Sequence, residues 1–222
     1  MTRRAGVSTR CSCRHAAWPS PPRSGLALFG LTLALSSLTG VHDTLPGDLG
    51  ITTWAQDIAF PGETLSGTIR AVTSTEVVLG TGAAVALILW VRGYRLQATL
   101  LAVGLVLLPL LQAGIKEIVG RPRPDPNLVE LRASFSSPSF PSGHVMSGTY
   151  LYGFLLYFSF ALPLTAAARW LFALCPLFFL LFNGPANVYL GVHWPSDVLG
   201  GYAWALLLLI PAVAADRVLR AQ

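Results

Sequence analysis

Three short segments hold most of the residues in this chain that have chemistry to offer. The first runs Lys116-Glu117-Ile118-Val119-Gly120-Arg121-Pro122-Arg123-Pro124, and Lys116 is the only lysine among 15 basic residues. The second is Pro141-Ser142-Gly143-His144, and the third is His193-Trp194-Pro195-Ser196-Asp197. Ser142 is placed to cap a helix whose first amides, near Gly143, carry a partial positive charge suited to an anion. His193 and Asp197 are four residues apart, so on a helical turn the carboxylate reaches one ring nitrogen and leaves the other free as base or nucleophile. Moving a phosphoryl group needs its charge neutralised, a nucleophile in line and an acid for the leaving oxygen. Lys116, Arg123 and the amides near Ser142 and Gly143 fit the first need, His193 with Asp197 the second, and protonated His144 the third. No acidic cluster points to a catalytic metal, so neither metal nor cofactor is expected.

Each part alone is ordinary. Ser-Gly-His reads equally as a capped helix with a chance histidine, and His-x-x-x-Asp as a capping aspartate beside an interfacial tryptophan. Cations at helix ends commonly snorkel to the headgroups, and that is the reading for Arg121. What carries weight is the gathering: two of four histidines, the lone lysine and an arginine fall in two loops.

The elements that must position them are membrane spans. Of 222 residues, 53% are hydrophobic and 11% charged, with a mean hydropathy of +0.60. A soluble domain carries roughly 25% charged residues, so an ordinary soluble or disordered chain is excluded. The net charge of +5 fits membrane topology better than nucleic acid, which is not an expected partner. Apolar runs of spanning type lie at about Gly25–Val41, Val77–Val91, Gln97–Ile115, Val145–Leu164, Trp170–Leu190 and Val198–Ala214. Six spans put both termini on one side. That side collects Arg3, Arg4, Arg10, Arg14, Arg23, Arg92, Arg95, Arg169, Arg217 and Arg220 against the single acid Asp216. The other side holds Arg70, Lys116, Arg121, Arg123 and Arg132 with every remaining acid. Basic loops stay cytoplasmic, so both termini are expected inside and the three segments on the extracytoplasmic face.

The expected organisation is a flexible basic tail over 1–24, a first span and outward loop over 25–76, a core of spans two to six over 77–214, and a cytoplasmic tail over 215–222. Cys11 and Cys13 with His15 are too compact for a structural zinc site, and three cysteines make no disulfide framework. In the outward loop, Ile51, Trp54, Ile58 and Phe60 suggest an amphipathic stretch, either lying at the interface or covering the bundle.

Taken in order, Lys-x6-Arg-Pro, Pro-Ser-Gly-His and His-x3-Asp resemble the three-part signature of the type 2 phosphatidic acid phosphatase (PAP2) superfamily, over roughly residues 77–214. The resemblance implies an all-α, six-span transmembrane bundle of the PAP2/haloperoxidase type. It implies a hydrolase in which His193 forms a phosphohistidine, Asp197 orients it and His144 protonates the leaving alkoxide. The implied substrate is a lipid phosphate, whether polyprenyl phosphate or diphosphate, phosphatidylglycerophosphate or phosphatidate. One position departs from the pattern: the signature's third part begins Ser-Arg, and here Ala186 and Asn187 stand there. Arginine gives phosphate a charged bidentate contact, whereas Asn187 offers one neutral donor at best. Three readings stay open: a slower phosphatase, a site compensated by Arg121 or Arg132, or a lipid-phosphate binder without turnover. A transporter is a further alternative, but the ionisable groups lie at the span ends rather than within them.

Overall fold

The computed structural model describes residues 21–135 and 137–220. Most of the expected basic tail, with Cys11, Cys13 and His15, lies outside them. The described chain is helical, without strands: α1 (Pro21–Val41), α2 (Asp48–Asp57), α3 (Glu63–Val72), α4 (Thr75–Val91), α5 (Arg95–Val119), α6 (Gly143–Ala161), α7 (Ala166–Tyr189) and α8 (Pro195–Arg220). α1, α5, α7 and α8 are long and apolar enough to cross a membrane. α3 and α4, joined at a 53° bend, together make a fifth candidate.

α6 coincides with the expected fourth span but is built differently. It is 19 residues long and enclosed by α4, α5, α7 and α8. Its buried positions run around the whole helix and include Ser147, Thr149, Tyr150, Tyr152 and Ser159. A helix that meets protein on all sides needs no lipid-facing stripe. Its partners make room at Gly104, where a Cβ would stand 1.8 Å from the Tyr150 hydroxyl. That hydroxyl donates to the Leu100 carbonyl at 3.0 Å. The outer surfaces of α5 and α7 are apolar and exposed, through Val106, Leu110, Leu171 and Leu174.

Helix ends are set locally where the chain must turn toward the three segments. α5 stops at Gly120, in the left-handed conformation at φ 60°, with its N–H on the Lys116 carbonyl. Pro122 and Pro124 then prevent any continuation. Pro195 opens α8, where its missing N–H costs nothing. Within α7, ahead of Pro185, the Tyr202 hydroxyl accepts from the Gly184 N–H at 3.2 Å and donates to the Leu180 carbonyl at 2.7 Å. Those are the two groups that one helical hydrogen bond would join, so a side chain is inserted in the ladder.

The segment expected as a loop over 42–76 instead contains α2 and α3. α2 buries Asp48, Thr52 and Ala55, while Ile51, Trp54, Ile58 and Phe60 are exposed. It packs against α7 and α8 with a small, polar face, which is why an apolar pattern did not reveal it. The stretch expected as a C-terminal tail continues α8. There Asp216 accepts from Gln97 and Tyr157, both at 2.5 Å, and from Arg220 at 2.9 Å. This ties α5, α6 and α8 at the end of the bundle away from Lys116, His144 and Asp197.

Candidate active site

The C-terminal ends of α5 and α7 and the N-terminal ends of α6 and α8 converge at one end of the bundle, and α3 closes the side. Between them lies a cavity of about 390 Å³ whose walls include Arg70, Gln112, Lys116, Arg123, Gly143, His144 and His193.

Asp197 is fully buried and organises the floor. One carboxylate oxygen accepts from Arg121 at 2.6 Å. The other accepts from the Trp194 N–H at 2.9 Å and from the Ser139 hydroxyl. Asp197 therefore caps its own helix, and it also faces His193 Nδ1 at 3.6 Å, slightly beyond a hydrogen bond. Trp194 beside it is 2% exposed, a core residue rather than an interfacial one.

With Nδ1 toward the carboxylate, Nε2 is the nitrogen left for chemistry, and Arg123 donates to it at 2.9 Å. Arg123 is itself held by the carbonyls of Ser137 at 2.9 Å and Val192 at 2.5 Å. It lies 4.9 Å over the Phe135 ring. Burial lowers the Arg123 guanidinium to about 10, with Asp197 opposing the shift and Arg70 adding to it. Burial likewise pulls the His193 imidazole from 6.5 down to about 3, against the stabilising pull of Asp197. His193 is thus neutral at physiological pH, with a lone pair to donate. Lys116 reaches the Ser137 hydroxyl at 3.3 Å and the Pro138 carbonyl, holding the 121–142 loop over the cavity.

Ser142 occupies the N-cap position of α6, yet its side chain makes no capping bond. Its buried Oγ has no partner, while its N–H bonds the Asp197 carbonyl at 3.1 Å. Gly143 lines the cavity, and a Cβ there would stand 2.4 Å from the Gln112 amide nitrogen. Gln112, one turn before Lys116, joins the wall without having been foreseen. Its Oε1 is buried and unpartnered.

Arg121 does not snorkel. It is 1% exposed and donates to Asp48 at 2.8 Å, Ser196 at 2.7 Å, Asp197 at 2.6 Å and the Asp43 carbonyl at 3.2 Å. Each of its three nitrogens donates to a protein acceptor and it is buried away from the cavity lining, so it does not serve as a substitute phosphate ligand. Arg132 does not either: it pairs with Glu130 at 2.5 Å and lies 4.3 Å over Tyr189. Asn187 is fully buried. Its NH2 group donates to the Asn183 backbone and side-chain oxygens at 2.9 and 3.0 Å. Its Oδ1 accepts from Arg70 at 2.9 Å. Asn183 also donates to the His144 carbonyl at 2.8 Å and accepts from Thr73 at 3.1 Å. Arg70 and Asp48 were missed because nothing local marks them. The one available signal was that Arg70 is a cation on the acid-rich side.

The PAP2 superfamily model matches residues 97–219. Over 100 residues the chain is 37% identical to phosphatidylglycerophosphatase B of Bacillus subtilis (strain 168), covering 45% of this chain and 48% of that protein. The match thus spans about half the length of this curated relative. The fold is similar to the crystal structure of a transmembrane PAP2 type phosphatidylglycerolphosphate phosphatase from Bacillus subtilis. The TM-score is 0.75 at 25% identity, over 87% of this chain and 96% of the other.

Two outcomes follow from this geometry. Replacing Arg121 by Met strands two buried carboxylates and is expected to cost about 3–5 kcal/mol, read as a lowered unfolding midpoint of the detergent-solubilised protein. His193 has a folded pKa below its unfolded value, so its contribution to stability is present above about pH 6.5 and is lost as pH falls toward 3. Thermal midpoints taken from pH 7 to pH 4 should fall less steeply in His193→Gln than in the wild type.

Proposed function

Because the chain belongs to the PAP2 superfamily and is an integral membrane protein, we propose that it is a membrane phosphatase acting on a lipid phosphate through a phosphohistidine on His193. The observation that carries this reading is the shared cavity, where Nε2 of a neutral, buried His193, contacted by Arg123, faces the same space as Lys116 and His144. A phosphate ester entering it exchanges the Arg123–His193 contact for contacts from Arg123 and Lys116 to its equatorial oxygens. The Gly143 amide region, at the positive end of α6, adds to that charge stabilisation.

The Nε2 lone pair then attacks phosphorus as the bond to the lipid alkoxide breaks. The developing charge on His193 is met by Asp197, which Arg121 and Ser139 hold in place. His144 delivers its proton to the leaving oxygen and becomes neutral. It next takes a proton from water, whose oxygen attacks phosphorus and breaks the P–N bond. Inorganic phosphate leaves and both histidines return to their starting states. The negative charge of the substrate favours the protonated form of His144 at a point crowded by cations.

Phosphatidylglycerophosphate is the substrate we favour, on the strength of the names of the two relatives. Polyprenyl phosphates, polyprenyl diphosphates and phosphatidate share its phosphate chemistry. The charge distribution supports six crossings with both termini cytoplasmic and the cavity opening on the extracytoplasmic face.

Purified protein is expected to release inorganic phosphate from phosphatidylglycerophosphate in mixed micelles, with His193→Ala at background. His144→Ala should lie about 10²–10⁴-fold below wild type. Equal release by wild type and His193→Ala would refute the mechanism. A reporter fused after Gln222 should read cytoplasmic, and a periplasmic reading would reverse the orientation.

A further inference from the structure

Arg70 is the cation that the catalytic roles above leave unused, and it stands in the same cavity. It projects from the last turn of α3, outside the stretch covered by the family model. Its NH1 lies 2.9 Å from Asn187 Oδ1 and 3.4 Å from His144 Nδ1, and its NH2 lies 3.4 Å from the Ser134 carbonyl. Among the described residues, no carboxylate lies within ion-pair distance of Arg70, Lys116 or Arg123. Three cations around one cavity repel one another, and an anion seated between them removes that cost.

From this juxtaposition we propose that Arg70 is the third cation of the phosphate clamp. It is carried on α3 and fixed by Asn187, in place of the arginine that the family signature puts at position 187. The two positions are chemically exchangeable. With arginine at 70, position 187 must accept a hydrogen bond rather than present a second guanidinium at 2.9 Å, and the asparagine carbonyl does this. Asn187 cannot itself serve phosphate, because its donors are turned to Asn183. The clamp is thus conserved in charge but moved from α7 to α3. That gives α3 a part in binding and makes the α3–α4 bend, where Thr73 bonds Asn183, the element that aims it.

The inference rests on the phosphatase reading, and the test separates the two by measuring anion binding and turnover. Orthovanadate, an analogue of the transferring phosphoryl group, is titrated into full-length wild type, Arg70→Ala, Arg70→Met, Asn187→Arg and the double variant Arg70→Ala/Asn187→Arg. Each is first checked for a wild-type elution profile and melting point. Both Arg70 variants should bind vanadate at least about tenfold more weakly and lose about a hundredfold in phosphate release, the scale of one transition-state donor. The Met variant keeps the apolar stem, so a loss shared with Ala reports the guanidinium rather than packing. Asn187→Arg alone should lose activity through repulsion with Arg70, while the double variant should regain at least tenfold over Arg70→Ala. Wild-type vanadate affinity in both folded Arg70 variants would overturn the inference, as would a gain from Asn187→Arg with Arg70 intact. Vanadate binding that depends on Arg70 without any phosphate release would uphold this inference and sink the phosphatase reading instead.

Discussion

A guanidinium removed from water costs several kcal/mol unless its donors are filled, and Arg121 fills them with groups drawn from three places in the chain. The Asp43 carbonyl comes from the segment between α1 and α2, Asp48 from the start of α2, and Ser196 and Asp197 from the first turn of α8. Ser196 is further fixed by Asp48, through its N–H at 2.9 Å and its hydroxyl at 2.7 Å. These contacts set where α8 begins and therefore where Asp197 and His193 point. They also pin α2 against the bundle, so the helical cover and the catalytic floor are one construction. Removing Arg121, Asp48 or Asp197 leaves a buried charge short of a partner.

The parts of this arrangement that local sequence encodes were legible. Gly120 with Pro122 and Pro124, Ser142 before Gly143, and Pro195 after Trp194 mark helix ends by backbone chemistry alone. The ends so marked bring Lys116, His144 and His193 to one cavity. What stayed hidden depends on pairing across long separations. Arg121 looked like a headgroup cation because its partners lie 73 and 76 residues away, and nothing between announces them. α2 and α3 are each only 10 residues long. α2 buries Asp48, Thr52 and Ala55 while its larger apolar residues face outward, so the amphipathic pattern there did not mark a packed helix. Asn187 looked like a deficit because sequence shows which residue is missing at a position, not which one has arrived from elsewhere.

α6 shows how a helix enclosed by other helices departs from the pattern of a lipid-facing one. Lipid demands apolar side chains, but a helix surrounded by other helices can carry hydroxyls wherever a partner exists. Ser147 meets Thr75 at 3.2 Å and Tyr150 reaches Leu100 at 3.0 Å. The helix that presents His144 therefore answers to its protein neighbours rather than to lipid. Its position is set by neighbours that press close at glycines, and at Gly143 that neighbour is Gln112, in the cavity wall.

Arg123 donating to His193 Nε2 would make the proposed site an interlock. The electron pair that would attack phosphorus is occupied until something draws the guanidinium away, and only an anion has the charge to do so. A neutral lipid headgroup or a water molecule can offer Arg123 no comparable partner, so it leaves the histidine engaged. Recognition and arming are then a single event. On the proposed mechanism, the cation that identifies the substrate also uncovers the nucleophile, and selectivity for a charged headgroup is exercised before any bond is made.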